Sequence, residues 1–279
     1  MSRVYRALEK AEKEKQQKIK EEPLLGIFEE GPIPSQEEQV LKDIEIGNER
    51  LELPVREEGP IPIAPLDTFA AEQFRKLKTH IFRNSPNSMR LILITSAVPQ
   101  EGKTVVTLNL AMAISQEIHK RIILIDADLR KPSIYPEKYT YRKGLSDYLA
   151  DQTPIKEITK NFETEKFMII PAGKPSSKAA ELVASKKMKD LLSDLRELGE
   201  DTYILIDSPP ILSTSEPLQL SEWVDGVILV VMSDRAPKGS IRKAAESIGR
   251  KKIIGVVFNQ KDLKTSKYYT DYYYRYYKK

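Results

Sequence analysis

Apolar and polar positions fall into blocks of two kinds along most of this chain. Short continuous apolar runs occupy 91–95, 121–126, 167–171, 203–207, 226–232 and 253–258. Between them lie stretches whose apolar residues recur at helical spacing, most clearly 179–198, where Met188, Leu191, Leu192, Leu195 and Leu198 share one face. Strands that are apolar on both sides need cover on both sides. The pattern therefore predicts an α/β fold, a mostly parallel sheet with helices on both faces. Ligands of such sheets bind at the carboxyl ends of the strands.

Upstream of Leu91 the pattern changes. A helix is expected from a cap at Asp67 or Thr68 to about Arg83, burying Phe74, Leu77 and Ile81. Glu72, Arg75 and Lys78 follow at intervals of three on a different, slanted stripe, the usual place of solvent-facing charge. Residues 23–66 carry Pro23, Pro32, Pro34, Pro54, Pro60, Pro62 and Pro65 among many acids and read as a linker. Residues 1–22 place Val4, Leu8 and Ala11 at helical spacing among Glu, Lys and Gln. That stripe is too narrow to pack by itself, so this segment is disordered or partly helical, docked on a partner or solvated. The division is a charged helix and Pro-rich linker over 1–65, one domain over 66–263 and a tail over 264–279.

Composition narrows the function classes. The formal charge of +4 on 279 residues is too small to argue for nucleic acid, so no nucleic-acid partner is expected. The chain has no cysteine and two histidines, which excludes disulfides and thiolate metal sites and argues against zinc. The longest apolar runs are strand length, and Met1-Ser2-Arg3-Val4-Tyr5 lacks the apolar core of a signal peptide, so a cytoplasmic location is expected.

Candidate chemistry starts at Ser96-Ala97-Val98-Pro99-Gln100-Glu101-Gly102-Lys103-Thr104, between a strand pattern and a helical one. Strand, tight loop and helix ending in Gly-Lys-Thr is the context of a phosphate-binding loop. Val98, Pro99, Gln100, Glu101, Gly102, Lys103, Thr104 and Val105 would line the phosphates of ATP, Lys103 reaching the β- and γ-phosphates and Thr104 binding Mg2+. The usual first glycine is replaced by Ala97.

Two later strands end in carboxylates. Ile122-Ile123-Leu124-Ile125 leads into Asp126-Ala127-Asp128, and Tyr203-Ile204-Leu205-Ile206 into Asp207-Ser208-Pro209-Pro210. A lone charge beside four apolar residues is costly unless it meets a cation, so Asp207 is expected to hold magnesium. An ordinary phosphate-loop ATPase manages with one such acid. The extra pair leaves a carboxylate over for the proton of an incoming hydroxyl, Asp126 being the candidate base and Asp128 and Asp207 serving the metal.

Seven of the thirteen tyrosines crowd the last residues: Tyr268, Tyr269, Tyr272, Tyr273, Tyr274, Tyr276 and Tyr277. They follow neither a period of 2 nor one of 3.6, and a chain end is a poor place for a core. What they share is a phenolic hydroxyl, so on a protein with a phosphoryl-transfer site they read as phosphoacceptors.

These residues together resemble the bacterial tyrosine kinases of capsular and exopolysaccharide machinery. The likeness covers about 66–279. It rests on Pro99-x-Glu-Gly-Lys-Thr with Asn109-Leu110-Ala111, on Leu124-Ile125-Asp126-Ala127-Asp128-Leu129-Arg130-Lys131-Pro132 and on Ile206-Asp207-Ser208-Pro209-Pro210. Pro171-Ala172-Gly173 with Glu181-Leu182, Gly255-Val256-Val257-Phe258-Asn259 and the tyrosine tail complete it. The resemblance implies a P-loop NTPase-like fold and an ATP- and Mg2+-dependent tyrosine autokinase. It assigns Lys103, Asp126, Asp128 and Asp207 to catalysis, Thr104, Asp128 and Asp207 to the metal, and Asn259 to the nucleotide. It implies that Glu72, Arg75 and Lys78 assemble a ring-like homo-oligomer, although the family's last arginine is here a lysine without the bidentate fork. Members without transmembrane helices are activated by a transmembrane polysaccharide co-polymerase-type adaptor, which would recruit this chain to the inner face of the membrane. A protein-tyrosine phosphatase would reset it.

Two other classes stand beside this reading. A partition or division-site ATPase of the Min/Par type would carry a lysine five residues before the loop lysine, where this chain has Val98. A silent ATP-binding scaffold presenting the tail has no such discriminating residue. A eukaryotic-type kinase is excluded by the absence of His-Arg-Asp and Asp-Phe-Gly motifs.

Overall fold

Residues 50–51, 63–65, 68–84, 89–134, 143–151, 153–162 and 164–259 are described by a computed structural model. The helix expected over 1–22 and the tyrosine tail lie outside them. Among the described residues the strands are β1 Arg50–Leu51, β2 Leu91–Ser96, β3 Arg121–Asp126, β4 Lys160–Phe162, β5 Thr164–Ile170, β6 Thr202–Asp207, β7 Gly226–Met232 and β8 Ile253–Asn259. They form one sheet in the order β1-β4-β5-β3-β6-β2-β7-β8. Neighbours run parallel except β4 and β5.

All six apolar runs are strands, and two strands were not expected. β4 is three residues long and turns back onto β5, too short and polar to show in an apolar pattern. β1 lies inside the stretch read as a linker and pairs with β4, Arg50 opposite Asn161.

The helices are α1 Phe69–Asn84, α2 Lys103–Ser115, α3 Leu145–Ala150, α4 Ile155–Ile158, α5 Ala179–Val183, α6 Lys186–Arg196, α7 Glu216–Trp223 and α8 Lys238–Ile248. Strand alternation divides the core in two. Ile92, Ile94, Ile122, Leu124, Leu205, Ile228 and Val230 pack towards α1 and α2. Leu91, Leu93, Ile123, Ile125, Ile204, Ile206 and Leu229 pack in the opposite cluster with residues of α3 and α5 to α8. α2 buries residues round most of its circumference, because the sheet lies on one side and α1 on the other. α1 starts where expected: Thr68 Oγ1 accepts the Ala71 N–H at 3.2 Å, and Ile81 is buried. The 179–198 stretch is two helices, because Ser185 interrupts it and caps α6 by accepting the Met188 N–H at 3.2 Å. No helix among the described residues is long and apolar enough to cross a membrane.

Candidate functional site

β3, β6 and β2 are adjacent, so their carboxyl ends open side by side. At the end of β2 the chain turns through 97–102 and enters α2 at Lys103. The turn needs two left-handed residues, Gln100 with φ 62° and Gly102 with φ 82°. It is braced from within by Glu101, which is fully buried. One Glu101 oxygen accepts the Val98 N–H at 2.9 Å across the loop, and the other accepts the Met232 N–H at 3.2 Å from β7. Ser96 Oγ donates to the Val98 carbonyl at 2.7 Å, and Asn259 Nδ2 to the Glu101 carbonyl at 3.0 Å. Arg235 closes the outside, its Nε donating to the Pro99 carbonyl at 3.1 Å and its Nη2 to Gln100 Oε1. The loop is thus held open at the amino end of a 13-residue helix, whose first N–H groups have no intrahelical acceptor.

Asp126 and Asp207 stand opposite each other in the β3–β6 ladder, both buried. Burial and then the neighbouring Asp207 push Asp126 up to about 8. Burial also raises Asp207, against the opposing pull of Lys103 and of the Thr104, Ser133 and Thr107 hydroxyls. Thr104 Oγ1 donates to Asp207 Oδ2 at 2.6 Å, Ser133 Oγ to the same oxygen at 3.1 Å, and the two hydroxyls are 2.7 Å apart. Thr107 Oγ1 lies 3.3 Å from Asp207 Oδ1.

The two members of the Asp-x-Asp pair differ. Asp126 accepts N–H groups from Asp128 at 3.1 Å, Ser133 at 3.1 Å and Ile134 at 3.0 Å, and shows no surface to solvent. It shapes the 126–134 loop and, unlike Asp128, is wholly enclosed. Asp128 is half-buried and accepts the Lys131 N–H at 3.0 Å. Burial raises it, partly opposed by that N–H.

Thr104, Ser133 and Asp207 offer hard oxygen donors beside a phosphate-binding loop. Among the described residues no three His, Cys, Asp or Glu side chains form a metal cage. One carboxylate and two hydroxyls fit magnesium, which is held by few protein oxygens and otherwise by phosphates and water.

Val98, Lys103, Thr104, Val105 and Asn259 are half-buried around this opening, and Pro99 and Gln100 are exposed on it. Glu101 is expected among the nucleotide contacts, but its side-chain oxygens are taken up within the protein. Ser133 and Arg235 carry no signal in the sequence, one being a serine after a proline and the other an arginine in a turn. The stripe on α1 splits. Glu72 and Arg75 pair with each other at 2.8 Å, partly exposed, whereas Lys78 is buried and its Nζ bonds Glu117 of its own chain.

A family model described as AAA domain matches residues 89–251. Tyrosine-protein kinase YwqD of Bacillus subtilis is 31% identical over 197 residues, covering 69% of this chain and 82% of that protein. The succinoglycan biosynthesis transport protein ExoP of Rhizobium meliloti is 31% identical over 219 residues, covering 75% of this chain but 27% of that protein. Among solved structures, the kinase domain of the Escherichia coli tyrosine kinase ETK superposes with a TM-score of 0.62 at 26% identity, covering 68% of this chain and 75% of that one.

Proposed function

The chain belongs to the bacterial tyrosine-protein kinases, and on that premise we propose that it transfers the terminal phosphoryl group of ATP to tyrosines of its own tail. The observation that carries this reading is the convergence of Thr104, Ser133 and Asp207 beside Lys103 at the mouth of a preformed loop. Lys103 would neutralise phosphate charge while the N–H groups of the loop and of the first turn of α2 hold the phosphate oxygens. Thr104 and Asp207, with Ser133, would hold magnesium, which when bound supplies charge neutralisation across the phosphates.

Asp128, being reachable, takes the proton that the phenol releases. The phenolic oxygen forms its bond to the γ-phosphorus as the bond to the bridging oxygen breaks, and the products are phosphotyrosine and ADP. The acceptors are Tyr268, Tyr269, Tyr272, Tyr273, Tyr274, Tyr276 and Tyr277, on a segment that follows the kinase domain of about 66–263. Val98 in place of a lysine speaks against the partition-ATPase alternative.

The setting of the activity is polysaccharide synthesis or export. The likeness to ExoP supports this, because there the matching segment is a quarter of a transport protein. On this reading a polysaccharide co-polymerase-type membrane adaptor recruits the chain to the inner face of the membrane, and a phosphatase reverses the modification. The test is to incubate the purified full chain with ATP and magnesium and map phosphotyrosine by mass. Label should concentrate in the tail and vanish in Lys103→Met with the circular dichroism unchanged. Nucleotide binding without label in the wild type would favour the scaffold reading instead.

A further inference from the structure

One ion pair ties the loop after β3 to the loop after β6. Arg130 Nε donates to Glu216 Oε1 at 2.6 Å, the arginine side chain 45% exposed and the glutamate side chain 1%. Glu216 opens α7, on the chain that leaves Asp207. Burial works against the charge on Glu216, and Arg130, with the Thr214 hydroxyl beside it, holds its carboxyl below the usual range. A buried ion pair is a poor source of stability, since desolvation offsets most of the attraction. What the pair does is geometric. The backbone N–H groups of Arg130 and Lys131 both favour the charged form of Asp128, Lys131 at 3.0 Å. Fixing the Arg130 side chain on a buried anchor therefore fixes the turn that aims Asp128.

We propose that Arg130 and Glu216 are positioning residues for phosphoryl transfer, holding the 128–131 turn so that the Asp128 carboxylate faces the acceptor hydroxyl. This rests on the assignment of Asp128 as proton acceptor. The requirement is a hydrogen bond in a set place, more than a charge. Glutamine at 216 keeps an oxygen for Arg130 Nε, and its amide can donate to the Thr214 hydroxyl. Alanine keeps neither, and lysine at 130 loses the planar fork.

The experiment measures tail phosphorylation at saturating ATP, the Kd for a fluorescent ADP and the melting temperature. A misaligned proton acceptor should cost about 10- to 100-fold in kcat for Glu216→Ala and Arg130→Lys, with the ADP Kd within about twofold. Glu216→Gln should recover kcat to within about threefold of wild type. With Asp128→Asn already present, adding Glu216→Ala should cost less than about twofold more, because the aimed group is gone. Equal losses in both backgrounds, or losses of nucleotide affinity as large as those in kcat, would overturn the proposal alone. Wild-type turnover in Asp128→Asn would overturn the base assignment as well. Should Glu216→Ala fail to fold, Arg130→Lys carries the same comparison.

Discussion

Gly102 and Asn259 meet so closely that a β-carbon on Gly102 would lie 2.0 Å from Asn259 Nδ2. The amide that occupies this space is the one that donates to the Glu101 carbonyl. Gly102→Ala should therefore displace Asn259 and distort the loop, weakening ADP binding by at least about tenfold, since the donors must sit within tenths of an ångström of the phosphate oxygens. Adding Asn259→Ala removes the clash but leaves a non-glycine residue at φ 82°, a cost of about 1–2 kcal/mol. Melting of the double variant should recover only in part. Full recovery of melting and binding would mean that the contact alone requires the glycine.

A second expectation concerns pH. Asp126 titrates near 3.8 when unfolded and is pushed up to about 8 in the fold, chiefly by burial and then by Asp207. Between those values the folded state binds more protons than the unfolded one, so stability falls as pH rises through this window. Asp128 and Asp207 are raised by burial and act in the same direction. The melting temperature of the nucleotide-free protein should decline from about pH 5 to about pH 8, and Asp126→Asn should flatten the decline. Parallel curves for the two proteins would show that Asp126 is ionised throughout.

The stripe on α1 should separate into two effects. Alanine at Glu72 and Arg75 removes the partly exposed pair and should reduce particle mass by light scattering and autophosphorylation together, with little change in melting. Lys78→Ala breaks an internal tie to Glu117, whose side chain is 42% exposed, and should cost about 1 kcal/mol of stability. A mass that stays the same in the Glu72, Arg75 double variant would return that pair to an exposed surface role.

The tail should behave as an electrostatic switch. Its last sixteen residues carry five basic groups against Asp271, and each phosphotyrosine adds about −1.5 to −2. Three modifications would bring it near neutral, and all seven would make it strongly anionic. An unmodified tail should enter the acidic, ATP-loaded site of a neighbour and favour assembly, whereas a heavily modified one should be repelled. Screening acts within roughly 8 Å at physiological salt, so dispersal after ATP should weaken as salt rises. Sizing before and after ATP, with a tail-deleted control, checks this. Particles that stay large at low salt would point to docking of a partner.

Most of the sheet could be read from sequence because β2, β3 and β5 to β8 each hold an unbroken apolar run, and such runs have few alternatives to a buried strand. β1 and β4 were not legible, since their pairing depends on a neighbouring edge and leaves no periodic trace. At the site, the glycine, lysine and carboxylates announce themselves by residue type and by position after a strand. Ser133 does not, because its approach to Asp207 follows from the fold of the 126–134 loop. The division of labour between Asp126 and Asp128 was also hidden. It depends on which carboxylate the backbone N–H groups enclose, and two residues of sequence separation cannot show that.

Glu101 spends both oxygens on the protein, one on the loop and one on β7. The shape of the loop is thus set by the sheet beneath it and does not wait for a guest. Ordering entropy that a floppy loop would lose on meeting a nucleotide has already been lost in folding. Binding of ADP or ATP to the nucleotide-free protein should then proceed without a slow rearrangement step, as a single-exponential stopped-flow trace whose rate rises linearly with nucleotide concentration. Replacing Glu101 by alanine should introduce a plateau, the mark of a loop that must first find its shape.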